Sequence, residues 1–498
     1  MRAELINIAN QADNVDRQIA GASDMEIVTV GAKTFLVVSG AVDGGISTYE
    51  MLNDGTLVPA ADLPNSASSG TVAVSDLTVM EIGGKVYILP SGNFDNNQVV
   101  YEITNNGSFV VTDSYTDAAG TYRHWFMTDA ASVNGSTYVF GTQWGEVGLF
   151  EFDMVGDMLA NPFQHPDDIG MFLGDVRAIE AASLHGRTFL FVASGVDAGL
   201  HSFEVMPDGS IILRDTAPAS EGGISGASDL TSIDTGDRKF VILASAGTDS
   251  LLVYRVSQGG KLKHVETLTD TGETRFADVS DVEAFTYDGR HFVLAAGSDD
   301  GLTLMEIDYR GRLKVLDTIV DTAATHLQDI TDIEVREVGG QMYVYVSSGV
   351  ENGISAFALD LPNGENLIRG TPDEDNLTGT ALDDTIFGHG KADVIHGLGG
   401  NDRLIDGLGP DELWGGAGAD IFEFVPDNRT DRIMDYDIGV DRIDLSGYAL
   451  LYNISDLVIT ARADGATIDV DGDLIRIFSD DGQPLDVSMF TQDDFIFG

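Results

Sequence analysis

The chain has no cysteine, few basic side chains and no long apolar run. Without cysteine there is no disulfide, no thiolate-held zinc and no thiol nucleophile. Only 27 Lys and Arg stand against 81 Asp and Glu among 498 residues, a formal net charge of -54. Such a field repels phosphate backbones and anionic lipid surfaces and draws in cations, so neither nucleic acid nor a bare membrane is an expected partner. No apolar stretch approaches membrane-spanning length, and the opening MRAELINIANQADNVDRQIAG lacks the basic start and apolar core of a signal peptide. Familiar catalytic patterns are missing too. None of the 9 histidines stands in a His-Glu-x-x-His arrangement, and no serine has glycines two places before and after it. Gly31-Ala32-Lys33-Thr34 imitates the end of a phosphate loop, but Glu26 occupies the place of its first glycine, so the segment reads as a hairpin turn. The balance leans away from an enzyme.

What the chain does have is repetition. A unit exemplified by SDLTVMEIGGKVYILPSGNFDNNQVVYEITNNGSF from Ser75 recurs, and the glycine closing its second apolar run falls at Gly40, Gly92, Gly141, Gly195, Gly247, Gly297 and Gly349, spaced by 49 to 54 residues. Within each unit, short β-branched and aromatic runs alternate with Gly, Asn and Asp turns, the grammar of strands and hairpins. Turns such as Ser39-Gly40-Ala41-Val42-Asp43-Gly44 and Ser194-Gly195-Val196-Asp197 fit that grammar. Four short strands per unit, seven times over, predict an all-β, seven-bladed β-propeller across residues 1–362. The last unit stops at Ala358-Leu359-Asp360 without a fourth strand, and Glu4 to Ala9 (ELINIA) matches the missing piece. The N-terminal strand is therefore expected to complete the last blade and remove an exposed sheet edge.

Five units place an aspartate eleven residues before the aromatic of the second strand: Asp24, Asp76, Asp229, Asp281 and Asp332. The third and fourth units have Met127 and Ala178 there. Opening the innermost strands, these carboxylates would ring one mouth of the channel. Two readings stand side by side: a second cation site, since converging carboxylates suit hard cations, or acceptors for backbone N–H groups in the incoming loops. His124-Trp125 and the segment Asn161 to Asp168 break the repeat and read as a loop irregularity, either ordinary loop variation or the kind that marks a binding face.

From Gly370 the composition changes to dense glycine and acid. In nines it reads GTPDEDNLT, GTALDDTIF, GHGKADVIH, GLGGNDRLI, DGLGPDELW and GGAGADIFE. Aspartate holds the sixth place throughout, at Asp375, Asp384, Asp393, Asp402, Asp411 and Asp420, and an apolar residue holds the eighth, at Leu377, Ile386, Ile395, Leu404, Leu413 and Phe422. Six glycine-rich residues turn, presenting carbonyls and one carboxylate, and three form a short strand with its central side chain inward. Two nonapeptides complete one coil of a parallel β-roll, so the aspartates form two columns, with Ca2+ expected between carboxylates two repeats apart and loop carbonyls completing its oxygen shell. Gly397, Gly400, Gly409, Gly415 and Gly418 belong to the best-formed loops. Thr371 and Thr380 at the second place, with Asp373 and Leu382 at the fourth, predict weaker first sites, and Asp406 replaces one leading glycine.

This segment, residues 366–425, resembles the RTX, or hemolysin-type, calcium-binding repeat family, whose consensus is GGxGxDxUx. The following residues, Asp431 to Tyr436, Gly439 to Ser446 and the ending Asp493-Asp494-Phe495-Ile496-Phe497, are similar to the C-terminal region of serralysin-type RTX exoproteins. The resemblance implies a β-rich cap over 426–498 carrying an uncleaved export signal, passage through a type I secretion apparatus and an extracellular, secreted protein whose roll folds on calcium. For the propeller, the expected role is recognition of a glycan or cell-surface polymer. The alternative is a metal-dependent hydrolase, such as a lactonase or phosphoesterase, working from the channel carboxylates.

Overall fold

The computed structural model describes every residue except 1–2, 13–18, 43, 67–68, 93–96, 117–124, 144–147, 166–172, 196–198, 237, 288, 324, 362–365, 449–450, 471 and 498. By internal contacts the chain divides into two compact units, Met1–Tyr287 with His291–Leu361, and Pro362–Gly498 with Asp288–Arg290.

The first unit is a β-propeller of seven four-stranded antiparallel sheets. Its first sheet runs Ala22–Val30, Lys33–Gly40, Gly45–Met51 and Leu57–Pro64 in sequence order, and the next five repeat that meander. The last sheet takes Ile330–Val338, Gln341–Ser348 and Gly353–Asp360 from the end of the unit and Glu4–Ala12 from its start. Glu4 pairs with Asp360 and Ala12 with Gly353, so the expected closure is observed, with a bulge between Asn7 and Ala9.

Apolar side chains on both faces of the inner strands dictate this stacking. Phe35, Val37 and Ile46 of the first sheet pack against Leu77, Ile88 and Tyr101 of the second in one buried cluster, and comparable clusters join other neighbouring sheets. Outer strands carry less apolar weight: Leu262–Thr269 alternates half-buried and exposed residues, as an edge facing water should. Gly31, at φ +67°, makes the tight turn between the first two strands, which is the hairpin expected of the false phosphate loop.

One expectation fails. Asn161 to His165 is not a loop irregularity but part of the strand Met158–His165, the outermost of the third blade, with His165 opposite Leu149. Asn161 adopts φ +50° at a bulge, and this local backbone kink is what disturbs the repeat in the sequence. Residues 166–168 of that segment, together with His124, Asp43 and the turn residues Val196 and Asp197, lie outside the described residues. Trp125 is fully buried, its ring 4.9 Å from that of Phe152, and it belongs to the core rather than to an exposed face.

The second unit is a parallel β-roll. One sheet stacks Asn366–Arg369, Asp384–Phe387, Arg403–Ile405, Ile421–Glu423, Arg442–Asp444 and Phe495–Ile496. The other stacks Asn376–Thr378, Val394–Gly399, Glu412–Ala417, Thr430–Tyr436 and Asp473–Ser479, then adds Gly465–Val470 and Val458–Arg462 antiparallel. The eighth-place side chains form inward ladders, Leu377–Ile395–Leu413 and Ile386–Leu404–Phe422. Ile395, Leu404, Leu413 and Phe422 are fully buried, and each contributes roughly 1.5–3 kcal/mol by leaving water. Although the sequence divides the tail at 425, the sheets run past it without a break. Ile433 and Ile443 continue the two ladders and share one core with Ile475, Ile477 and Phe495.

Candidate metal centre

The six sixth-place aspartates form the two expected columns. Each backbone N–H donates to the carboxylate Oδ1 of the aspartate one coil later: Asp375 to Asp393 at 2.8 Å, Asp393 to Asp411 at 2.7 Å, Asp384 to Asp402 at 2.8 Å and Asp402 to Asp420 at 2.8 Å. The columns extend beyond the nonapeptides, because Asp411 donates to Asp431 and Asp420 to Asp441, both at 3.0 Å. Longer loops break the nine-residue spacing there, so counting in nines missed these two residues. The surviving signal is the Asp-x-apolar triplet, Asp431-Arg432-Ile433 and Asp441-Arg442-Ile443.

Only one oxygen of each middle carboxylate is used. The Oδ2 atoms of Asp393, Asp402, Asp411 and Asp420 are buried with no hydrogen-bond partner. A buried anionic oxygen without a donor is costly, and a bound cation removes the cost. The leading glycines keep space beside these atoms: a Cβ on Gly397 would stand 2.2 Å from Asp402 Oδ2, and one on Gly415 would stand 2.3 Å from Asp420 Oδ2. Carboxylates flanked by glycine-loop carbonyls are hard oxygen donors without nitrogen or sulfur, which suits calcium.

The first two repeats differ in a way that their threonines explain. Asp375 Oδ2 accepts the N–H of Thr371 at 2.5 Å and its hydroxyl at 2.9 Å; Asp384 Oδ2 accepts the N–H of Thr380 at 2.5 Å and its hydroxyl at 3.1 Å. The oxygens left free elsewhere are occupied here. Thr380→Gly should remove the hydroxyl bond to Asp384 Oδ2 while the backbone N–H bond stays, and strengthen that calcium site severalfold, on the order of 1 kcal/mol for one hydroxyl bond removed. Calorimetric calcium titration checks this, and an unchanged isotherm counts against it.

Burial, ahead of all other causes, pushes the carboxyls of Asp393 and Asp402 up to about 6, of Asp431 and Asp441 up to about 7, and of Asp411 up to about 8. Neighbouring aspartates add to each of these shifts.

In the propeller, the five predicted aspartates do sit on the innermost strands. Four of them tie blade to blade: the Oδ2 atoms of Asp24, Asp76, Asp229 and Asp332 accept the N–H groups of Leu77, Thr128, Val282 and Met25 at 2.6, 2.8, 3.0 and 3.0 Å. The donors belong to the neighbouring blade's inner strand rather than to an incoming loop. In the third blade, where Met127 holds the ring position, Asp129 does the same for Ala181 at 2.6 Å. Two residues further along, on the same strand face, Glu26, Glu180, Glu283 and Glu334 add more acids, a set the sequence signalled by the Asp-x-Glu spacing in three units. Burial first, then other acids, holds the Asp24, Asp281 and Asp332 carboxyls well above the usual range and Glu283 up to about 8. Among the described residues, ligand atoms of three acids come within 4.8 Å of one another only at Asp406, Asp411 and Asp431.

Fold and site together define a β-propeller protein with an acidic, cation-holding parallel β-roll. Residues 369–404 and 396–424 each match a family described as RTX calcium-binding nonapeptide repeat (4 copies). The chain therefore carries RTX repeats, and RTX nonapeptide repeats bind calcium. No curated protein matches the sequence. Solved structures similar to the chain include a candidate 6-phosphogluconolactonase of Bacteroides fragilis (16% identity, TM-score 0.49, covering 67% of this chain and 92% of that one). A protein of Lactobacillus plantarum is 15% identical with a TM-score of 0.47, over 61% and 86% of the two chains. The periplasmic gluconolactonase PpgL of Pseudomonas aeruginosa is 17% identical with a TM-score of 0.47, over 64% and 96%. The propeller assignment itself stands on the closed ring of seven sheets.

Proposed function

We propose that the chain is a secreted calcium-binding protein whose roll folds on extracellular calcium and whose propeller is the working module, binding a glycan or surface polymer. One observation carries the calcium part: four buried Oδ2 atoms, on Asp393, Asp402, Asp411 and Asp420, lack any partner in a roll that is otherwise fully hydrogen-bonded along its aspartate columns. Asp375, Asp384, Asp393, Asp402, Asp411 and Asp420 are the proposed ligands, with the loops of Gly397, Gly400, Gly409, Gly415 and Gly418 contributing carbonyls. At low cytosolic calcium these carboxylates repel one another and disfavour the roll, as transit through a type I secretion channel requires. Phe495 is buried and Phe495–Ile496 pairs with Ile443 and Asp444, so the proposed export signal is sequestered once the roll has formed. Calorimetric titration of the calcium-free chain should show several ions binding with release of protons; no binding removes the proposal.

The hydrolase alternative has one observation in its favour, the buried and unpartnered Oδ2 of Asp281 in the acidic channel. It requires a divalent ion in the propeller that Asp76→Ala combined with Asp281→Ala abolishes. Partly open carboxylates also suit the simpler role, since sugar hydroxyls donate hydrogen bonds to them.

A further inference from the structure

One coil of the roll departs from the others. Where the remaining nonapeptides begin with glycine, the fifth begins with Asp406. Its side chain is buried, as are those of Asp411 and Asp431, at 1%, 0% and 2% exposure. One oxygen of each lies within 4.8 Å of the others.

The hydrogen bonds leave room for an ion among them. Asp406 Oδ1 accepts the N–H groups of Gly407 at 2.6 Å and Val425 at 2.9 Å, which fixes the carboxylate in place. Asp431 Oδ1 accepts the N–H of Asp411 at 3.0 Å, and Asp411 Oδ1 accepts that of Asp393 at 2.7 Å. The Oδ2 of Asp411 has no partner and is buried. The loop leading to Asp431 is Phe424-Val425-Pro426-Asp427-Asn428-Arg429-Thr430, without the glycines that expose carbonyls in the nonapeptides. Asp406 thus supplies an oxygen at the coil whose partner loop lacks the glycine turn.

We propose that Asp406, Asp411 and Asp431 form a divalent-cation site that continues the Asp375–Asp393–Asp411 column, with three carboxylates in place of two, and that calcium fills it first. The inference rests on the roll being a calcium binder. A higher ligand charge raises affinity for a hard cation, because each added carboxylate strengthens the attraction while the rigid backbone contacts hold the cage open. The site joins the nonapeptide turns to the strand Thr430–Tyr436, so filling it fixes that strand against the repeats.

Asp406→Asn is the direct test, because its amide oxygen keeps the two backbone hydrogen bonds while the charge is lost. Asp406→Gly, which restores the residue of the other coils, is the second variant. In calcium titrations of the full chain, both should lose the tightest binding event, with affinity there down roughly tenfold or more. The remaining events should stay in place, and far-UV circular dichroism with saturating calcium should be unchanged. Isotherms identical to that of the wild type, with calcium still bound, overturn the three-carboxylate site and leave the roll reading intact. A wild-type chain that binds no calcium removes both.

Discussion

Without calcium, the roll should lose stability steadily as the pH rises from about 4 to about 8, between the unfolded aspartate value and its raised carboxyl groups. An aspartate in an unfolded chain titrates near pH 3.9, whereas burial holds Asp393 and Asp402 at about 6, Asp431 at about 7 and Asp411 at about 8 in the folded roll. Between those limits the folded state binds more protons than the unfolded state, so raising the pH favours unfolding. The stabilising contribution is complete below about pH 4 and is lost as each folded carboxyl ionises in turn. Calcium reverses the trend by competing with those protons, and its benefit should grow with pH over the same window. Thermal melting of calcium-free protein at pH 5 and pH 8, followed by the β signal, checks this. Equal midpoints for the roll would mean that its carboxylates are compensated by something other than protons or metal.

Replacing Gly418 by alanine should be one of the two most damaging methyl additions at the fourth-place glycines of the roll, beside the same change at Gly409. Gly418 has φ +150°, and a Cβ built on it stands 1.7 Å from the carbonyl oxygen of Gly400 on the preceding coil. The backbone conformation alone costs a side chain roughly 1–3 kcal/mol. The overlap adds to that, because the opposing atom is backbone and cannot rotate away. Relief requires separating two coils, which also breaks the Asp402–Asp420 contact beside the ion. A loss of about 3 kcal/mol or more is expected, with a matching fall in calcium affinity. Gly439→Ala is the control: its φ is +79° and a Cβ there meets nothing within 4 Å, so about 1 kcal/mol covers the change. Chemical denaturation of both variants in saturating calcium separates the two costs. Similar midpoints would show that coil spacing is not fixed by the fourth-place glycine.

The sequence announces the parts of this molecule that repeat. Strand runs of VYIL and VVYEI type, closed by glycine at regular spacing, specify the blades because each sheet needs the same apolar faces to stack on its neighbours. ELINIA is legible as the closing strand because the last unit is visibly one strand short. The aspartate columns are legible for a similar reason, since a period of nine places Asp375 to Asp420 on two edges of a coil. What escapes is whatever depends on a neighbour rather than on the period. Asp431 and Asp441 continue the columns across longer loops, so only their inward Ile433 and Ile443 preserve the pattern. That Asp24 and Asp76 bond the next blade's backbone is set by how two inner strands pass each other, which a single strand's sequence does not encode. Asp406 reads as a defect in a glycine pattern, and becomes intelligible only when Asp411 and Asp431 are seen to surround it.

The central claim is that calcium holds the aspartate columns together, and hydrogen–deuterium exchange of the full chain, with calcium and after its removal at neutral pH, tests it most directly. With calcium, the amides of Asp384, Asp393, Asp402, Asp411 and Asp420, each donated to a carboxylate one coil later, should be strongly protected. Without it they should exchange freely, while the propeller amides of Leu77 and Thr128, donated to Asp24 and Asp76, stay protected in both states. Equal protection of the five aspartate amides with and without calcium would contradict the account.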